Sequence, residues 1–176
     1  MSIAFRPMAL TDLANLVRWM AADHAQPWFE GEPRTVEDAE KRFGSYVDRS
    51  DRSIRMWVVA LDGRDIGYIQ DYRVDHDDDY AVRVQDPTAA AFDYLIGEPD
   101  LIDQGIGTEM IRQFCSEILV NLYPDSPRFL ATPDARNARS IRTLEKLGFT
   151  QGLWITHNDA PNPEIVCTAG RELFEF

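Results

Sequence analysis

The chain is poor in cysteine, histidine and positive charge. Its 176 residues include two cysteines and three histidines. Cys115 and Cys167 belong to no Cys-x-x-Cys or Cys/His spacing, so nothing supports a zinc site or a disulfide framework. His24, His76 and His157 are scattered, which leaves no local metal motif, and no metal is expected. Lysine and arginine number 18 against 30 aspartates and glutamates, a net charge of −12. Nucleic acid and anionic membrane both require a basic footprint, so neither is expected as a partner. No apolar run approaches the roughly 18 residues of a membrane span, and residues 1–6 lack the basic start and apolar stretch of a signal peptide. The resulting expectation is a cytoplasmic protein. Repeats and low-complexity tracts are missing too, and the length suits one domain over 1–176.

What the chain does have is a glycine turn, Asp103-Gln104-Gly105-Ile106-Gly107-Thr108, ahead of apolar residues at helical spacing: Met110, Ile111, Phe114, Ile118, Leu119 and Leu122. Glycine lets the backbone turn tightly and approach a ligand, and a helix that starts there aims unbonded N–H groups at whatever fills the turn. The same pattern also marks an ordinary turn, and its surroundings must decide between a phosphate seat and a plain connection. Cys115 lies beside the apolar face and reads as packing. Upstream, residues 89–97 form an apolar strand interrupted by Asp93. A carboxylate there is costly unless it is paired, hydrated or used. An arginine ion pair and a functional role are both open for it.

The other elements follow from period and punctuation. Ile3 and Phe5 start a strand that Pro7 ends or places at an edge. Thr11 is the expected N-cap of a helix carrying Leu13, Leu16, Val17 and Met20. Residues 24–34 are irregular yet hold Trp28 and Phe29, which either anchor the core or line a ligand site. Thr35 with Asp38 resembles a capping box before a second helix. Asp62-Gly63 joins two β-rich runs, 55–61 and 65–72, as a hairpin. After the glycine-turn helix come a strand at 128–132, a helix capped by Asn137 and stopped by Gly148, and closing strands around a loop at 158–163. The fold class is therefore α/β of the α+β kind: a central mixed, mostly antiparallel sheet flanked by about four helices. Ten acids against Arg73 and Arg83 between positions 71 and 103 account for −8 of the −12. The Asp77-Asp78-Asp79 run reads as solvated loop, or as part of a field that draws in a cationic substrate.

Three local patterns together make the chain resemble the GNAT N-acetyltransferases: a central strand followed by Gln104-Gly105-Ile106-Gly107-Thr108 and a helix, then Asn137-Ala138-Arg139-Ser140-Ile141, then Glu145-Lys146-Leu147-Gly148-Phe149. The resemblance implies acetyl-CoA as co-substrate. Its pyrophosphate would sit on the N–H groups of Gln104, Gly105, Ile106, Gly107 and Thr108, its pantetheine arm beside Leu95 and Ile96, and Asn137 would join the cofactor set. Gly67-Tyr68-Ile69-Gln70-Asp71-Tyr72, the pair Trp28-Phe29 and the position of Asp93 look like features of the aminoglycoside 6'-N-acetyltransferases. That likeness implies a cationic small-molecule amine as acceptor, with Trp28, Phe29 and Asp93 as substrate contacts. Asp93 is the candidate catalytic residue, acting as a base through water or positioning the amine, with Asp71 and Glu98 as accessory substrate anchors. Siderophore-precursor acyltransferases of the hydroxylysine type look alike over the same regions. A domain of this fold that binds without turnover is a further alternative, and the expected state is monomer or homodimer.

Three positions depart from the pattern. Ile102 stands where many members have arginine or glutamine, so the turn would rely on backbone contacts. Leu144 replaces the tyrosine that protonates the leaving thiolate, which leaves the general acid unassigned. Thr132 replaces a second aspartate of the aminoglycoside enzymes. No nucleophile-base pair is visible, so direct transfer to the amine is expected.

Overall fold

The computed structural model of the chain describes residues 1–156 and 161–176. His157 and the first three residues of the loop expected over 158–163 lie outside the described residues. Strands β1 (Ile3–Pro7), β2 (Ile54–Leu61), β3 (Arg64–Arg73), β4 (Ala90–Ile96), β5 (Arg128–Ala131), β6 (Thr150–Ile155) and β7 (Glu164–Gly170) form one mixed sheet in the order β1-β2-β3-β4-β5-β7-β6. β1 is antiparallel to β2, β4 is parallel to β5, and β7 is antiparallel to both β5 and β6. By proximity the chain falls into two units, residues 1–71 with 94–106 and residues 72–93 with 107–176.

In the first unit, α1 (Leu13–Met20) and α2 (Val36–Val47) bury one face each. Leu13, Leu16, Trp19 and Met20 join Ala39, Phe43, Met56, Val58, Tyr68 and Leu95 in a single core cluster. Thr35 caps α2 as expected, its Oγ1 accepting the Asp38 N–H at 3.1 Å. Thr11 does not cap α1. It sits inside a short 3-10 turn, Leu10–Asp12, and Asp12 holds the N-cap position of α1 without a side-chain cap bond; its Oδ2 instead reaches back to accept the Ala9 N–H at 2.8 Å while Arg6 grips both oxygens at 2.7 and 2.8 Å. The Asp62-Gly63 hairpin is present, with φ of +48° and +84°, the pair of positive angles a two-residue hairpin turn of this kind requires. β1 stands at the sheet edge, where Pro7 removes no inner ladder bond.

In the second unit a helix that the sequence reading missed, α3 (Asp78–Val84), occupies the acidic run. Asp77 is its N-cap, accepting the Tyr80 N–H at 2.9 Å, and Asp78 and Asp79 fill the first turn, where the helix dipole favours negative charge. The run is thus a helix start rather than loop. The glycine-turn helix runs as α4 (Ile106–Gln113), a π-helical segment Phe114–Leu119, and α5 (Val120–Leu122). α6 (Ala138–Glu145) is capped by Asn137, whose Oδ1 accepts the Ser140 N–H at 3.1 Å. It ends in the paired bonds of a Schellman motif, Phe149 N–H to the Leu144 carbonyl and Gly148 N–H to Glu145, with Gly148 at φ +89°. Phe92, Phe129, Phe149 and Phe174 pack ring to ring beneath β4, β5 and β7.

Candidate functional site

In the first unit the site begins where β4 ends. The Gly97 N–H donates to the Ile66 carbonyl at 2.8 Å, which ties the end of β4 to β3. The ladder between β4 and β5 covers Ala90↔Phe129 and Ala91↔Leu130 only, so Leu95 and Ile96 lie beyond it. Leu95 is buried in the core cluster. The Ile96 carbonyl meets His24 Nε2 at 2.8 Å, and because a carbonyl only accepts, His24 carries a proton on that nitrogen. No role had been read for His24 from the sequence.

After Gly97 the chain is clamped by Glu98. Its Oε1 accepts from Arg18 at 2.6 Å and from the Trp19 indole at 2.9 Å, and its Oε2 accepts from Arg64 at 2.9 Å. The Arg18 guanidinium, ahead of the indole and Arg64, holds this carboxyl below its ordinary range. Arg64 continues to Asp100 at 2.8 and 3.1 Å, and the Gln104 side-chain amide reaches the Asp100 carbonyl. Asp103 and Gly105 both have positive φ, +61° and +79°, just before α4 starts at Ile106. A Cβ added at Gly105 meets nothing within 4 Å. This left-handed turn with open space about Gly105 and a helix start behind it fits a pyrophosphate.

Phe29 of the early loop stacks edge-on to Tyr68, with centroids 6.4 Å apart, and packs against the core cluster; Trp28 is half-buried in a 3-10 turn, Gln26–Trp28. Asp71 is 0% exposed. Its Oδ1 accepts from Arg55 Nε at 3.0 Å and its Oδ2 from the Trp57 indole at 2.7 Å. Both oxygens therefore already serve β2.

In the second unit, Asp93 is half-buried on β4, after the fully buried Phe92. The Tyr72 hydroxyl, at the end of β3, donates to Asp93 Oδ1 at 3.3 Å. The Tyr72 ring lies 5.9 Å from Tyr80 of α3 and 4.9 Å from His76, and the Tyr80 hydroxyl meets Thr132 Oγ1 at 3.3 Å. Burial first, and the Asp93 charge second, push both phenols well above their ordinary range, so both stay protonated. Tyr72 was visible in the sequence only as part of a motif. Tyr80 was hidden in the acidic run, where an N-cap at Asp77 with Tyr80 and Val84 four apart is the signal that could have shown it.

Asn137 uses its side-chain oxygen to cap α6, and Leu144 is 0% exposed, so no proton donor exists at that position. Burial alone drives the Cys115 thiol far up, and burial with Glu145 pushes Cys167 up to about 11. Neither is a nucleophile near neutral pH. Among the described residues, no group of three or more histidine, cysteine, aspartate or glutamate side chains is arranged to hold a metal, and no helix is long and apolar enough to cross a membrane.

Comparison with known proteins adds three findings. Residues 9–156 match the acetyltransferase (GNAT) domain. An aminoglycoside N(6')-acetyltransferase type 1 from Klebsiella pneumoniae is 30% identical over 177 residues, covering 99% of this chain and 86% of that protein. A solved structure of AAC(6')-Ib in complex with ribostamycin and coenzyme A superposes with a TM-score of 0.84 at 27% identity, covering 99% of this chain and 96% of that one.

Proposed function

The chain belongs to the GNAT acetyltransferase family, whose members draw on acetyl-CoA, and on that premise we propose that its acceptor is the 6'-amine of an aminoglycoside. The single observation that carries the proposal is Asp93: a half-buried carboxylate, held by a phenol donor, on the strand that leads to the glycine turn. Such a group suits an ammonium, and the net charge of −12 favours a cationic acceptor. The names of the relatives support the same acceptor class.

Acetyl-CoA supplies an acyl group activated as a thioester. We assign its pyrophosphate to the backbone of Gln104, Gly105, Ile106, Gly107 and Thr108, its extended arm to Leu95 and Ile96, and a further contact to Asn137. A backbone N–H of the Leu95 to Ile96 segment is the proposed donor to the thioester oxygen as that oxygen gains charge. His24 fixes the same peptide segment through the Ile96 carbonyl.

An amine with a pKa near 10 must lose a proton before it attacks, a cost of about 4 kcal/mol at pH 7. A carboxylate beside an ammonium stabilises the charged, unreactive form. Asp93 therefore positions the amine, and the proton leaves by another route. We assign Trp28 and Phe29 to the acceptor wall. Asp71 and Glu98 act as braces of the site, because the oxygens of both already accept from arginine and tryptophan.

A thiol-release assay with acetyl-CoA and a panel of kanamycin, polyamines and hydroxylysine tests the proposal. Turnover with kanamycin is expected. Turnover with hydroxylysine alone would move the chain to the siderophore-precursor enzymes, and acyl-CoA binding with no turnover would make it a binding module. Asp93→Asn is expected to lower kcat/KM for kanamycin about 100-fold.

A further inference from the structure

Tyr72 and Tyr80 each bury a hydroxyl where phenylalanine would fill the same space. Their rings are 7% and 9% exposed. A buried hydroxyl costs free energy unless it is hydrogen-bonded, so these two are bound into an arrangement that uses them. That arrangement runs across four separate segments of the second unit: Thr132 after β5, Tyr80 on α3, Tyr72 on β3 and Asp93 on β4.

We infer that Tyr72 and Tyr80 are positioning residues that hold the Asp93 carboxylate in one orientation toward the acceptor amine, with Thr132 closing the far end of the phenol pair. The inference rests on the reading of Asp93 as the acceptor anchor. Tyr72 fixes Oδ1 directly, and Tyr80 fixes the Tyr72 ring and hydroxyl. Charged and titratable neighbours of the pair among the described residues include Asp93, Glu164, whose charge reaches Tyr80, and His76 against the Tyr72 ring. The acidic run gains a role as well: Asp77 caps the helix that delivers Tyr80 to this chain of hydroxyls.

A carboxylate free to rotate would bind ammonium groups on many acceptors. One fixed by a directional donor presents its charge in one direction and so selects acceptors by where their amine lies. The effect should therefore fall on the acceptor and leave the donor untouched.

The test uses the full chain with acetyl-CoA and kanamycin, comparing Tyr72→Phe, Tyr80→Phe, Asp93→Asn and the Tyr72→Phe/Asp93→Asn double variant. Tyr72→Phe is expected to lower kcat/KM for kanamycin about tenfold, and Tyr80→Phe about threefold. The KM for acetyl-CoA and the thermal midpoint should stay at wild-type values. In the Asp93→Asn background, Tyr72→Phe should have no further effect on kcat/KM, because the negative charge it orients toward the amine is gone. Wild-type kinetics in Tyr72→Phe with a large loss in Asp93→Asn would overturn the phenol inference alone. Equal losses from Tyr72→Phe with and without Asp93, or a raised acetyl-CoA KM with a lowered thermal midpoint, would reduce the pair to packing and also overturn it. Wild-type activity in Asp93→Asn, or no turnover of kanamycin at all, would remove the reading of Asp93 itself.

Discussion

The carbonyl oxygen of Leu95 occupies the place where a side chain at Gly67 would begin, 2.0 Å from an ideal Cβ, with the carbonyl carbon at 3.0 Å. Both atoms belong to backbone that is tied down, since Gly97 bonds to Ile66 next door. Gly67→Ala must therefore push β4 away from β3, a strain of about 1–3 kcal/mol. The expected outcome is a thermal midpoint lower by about 2–10 °C and a severalfold rise in the KM for acetyl-CoA, because the displaced peptides are those of Leu95 and Ile96. Wild-type values for both would show that the contact relaxes at no cost to the site.

Gly105 differs, because nothing stands near its Cβ and only its φ of +79° resists a side chain. Gly105→Val carries a conformational penalty of about 1–2 kcal/mol, confined to an exposed turn. The variant should fold, with acetyl-CoA affinity measured by calorimetry reduced about tenfold. Unchanged affinity would sink the phosphate-seat reading of the turn.

Much of the frame was legible because its signals are local. Asp62-Gly63, Thr35 with Asp38, Asn137 and Gly148 each fix a backbone event within a few residues, and each does in the structure what its chemistry dictates. Thr11 failed because a neighbour won: Asp12 takes the N-cap position and binds Arg6, a stronger pairing than a threonine hydroxyl offers. α3 was lost because Asp77, Asp78 and Asp79 carry a solvated-loop composition while acting as a cap and a first turn. The charged residues of the site were the least legible. A sequence shows that Asp71, Asp93 and Glu98 are carboxylates on or near strands. It does not show that Arg55 and Trp57 of β2 both reach Asp71 on β3, or that Arg18, 80 positions away, meets Glu98.

Asp71 separates brace from anchor. Fully buried, and bonded to Arg55 through one oxygen and Trp57 through the other, it can keep only one of these two bonds as an amide, whose NH2 group would face the other donor. Asp71→Asn is expected to cost about 2–3 kcal/mol of stability, read by denaturant unfolding. The KM for the acceptor should stay within twofold of wild type. A large rise in that KM at unchanged stability would return Asp71 to the substrate.

Glu98 makes the acid limit of the fold predictable. Its carboxyl lies below the ordinary 4.5, chiefly through Arg18, and that of Asp12 below the ordinary 3.8, chiefly through Arg6. A lowered folded value means that the unfolded chain binds the proton more readily. The stabilisation is then complete above about pH 4.5 and is lost as pH falls through the folded value. Arg18 and Arg64 are each about half exposed, so water screens the pairing, and Glu98→Gln should cost about 1–2 kcal/mol at pH 7. The difference between wild type and Glu98→Gln, measured by urea unfolding, should be constant between pH 6 and 8 and shrink steadily below about 4.5. A difference that persists unchanged to pH 3 would mean that the glutamate acts through shape and hydrogen bonds to Trp19, and that its charge contributes nothing.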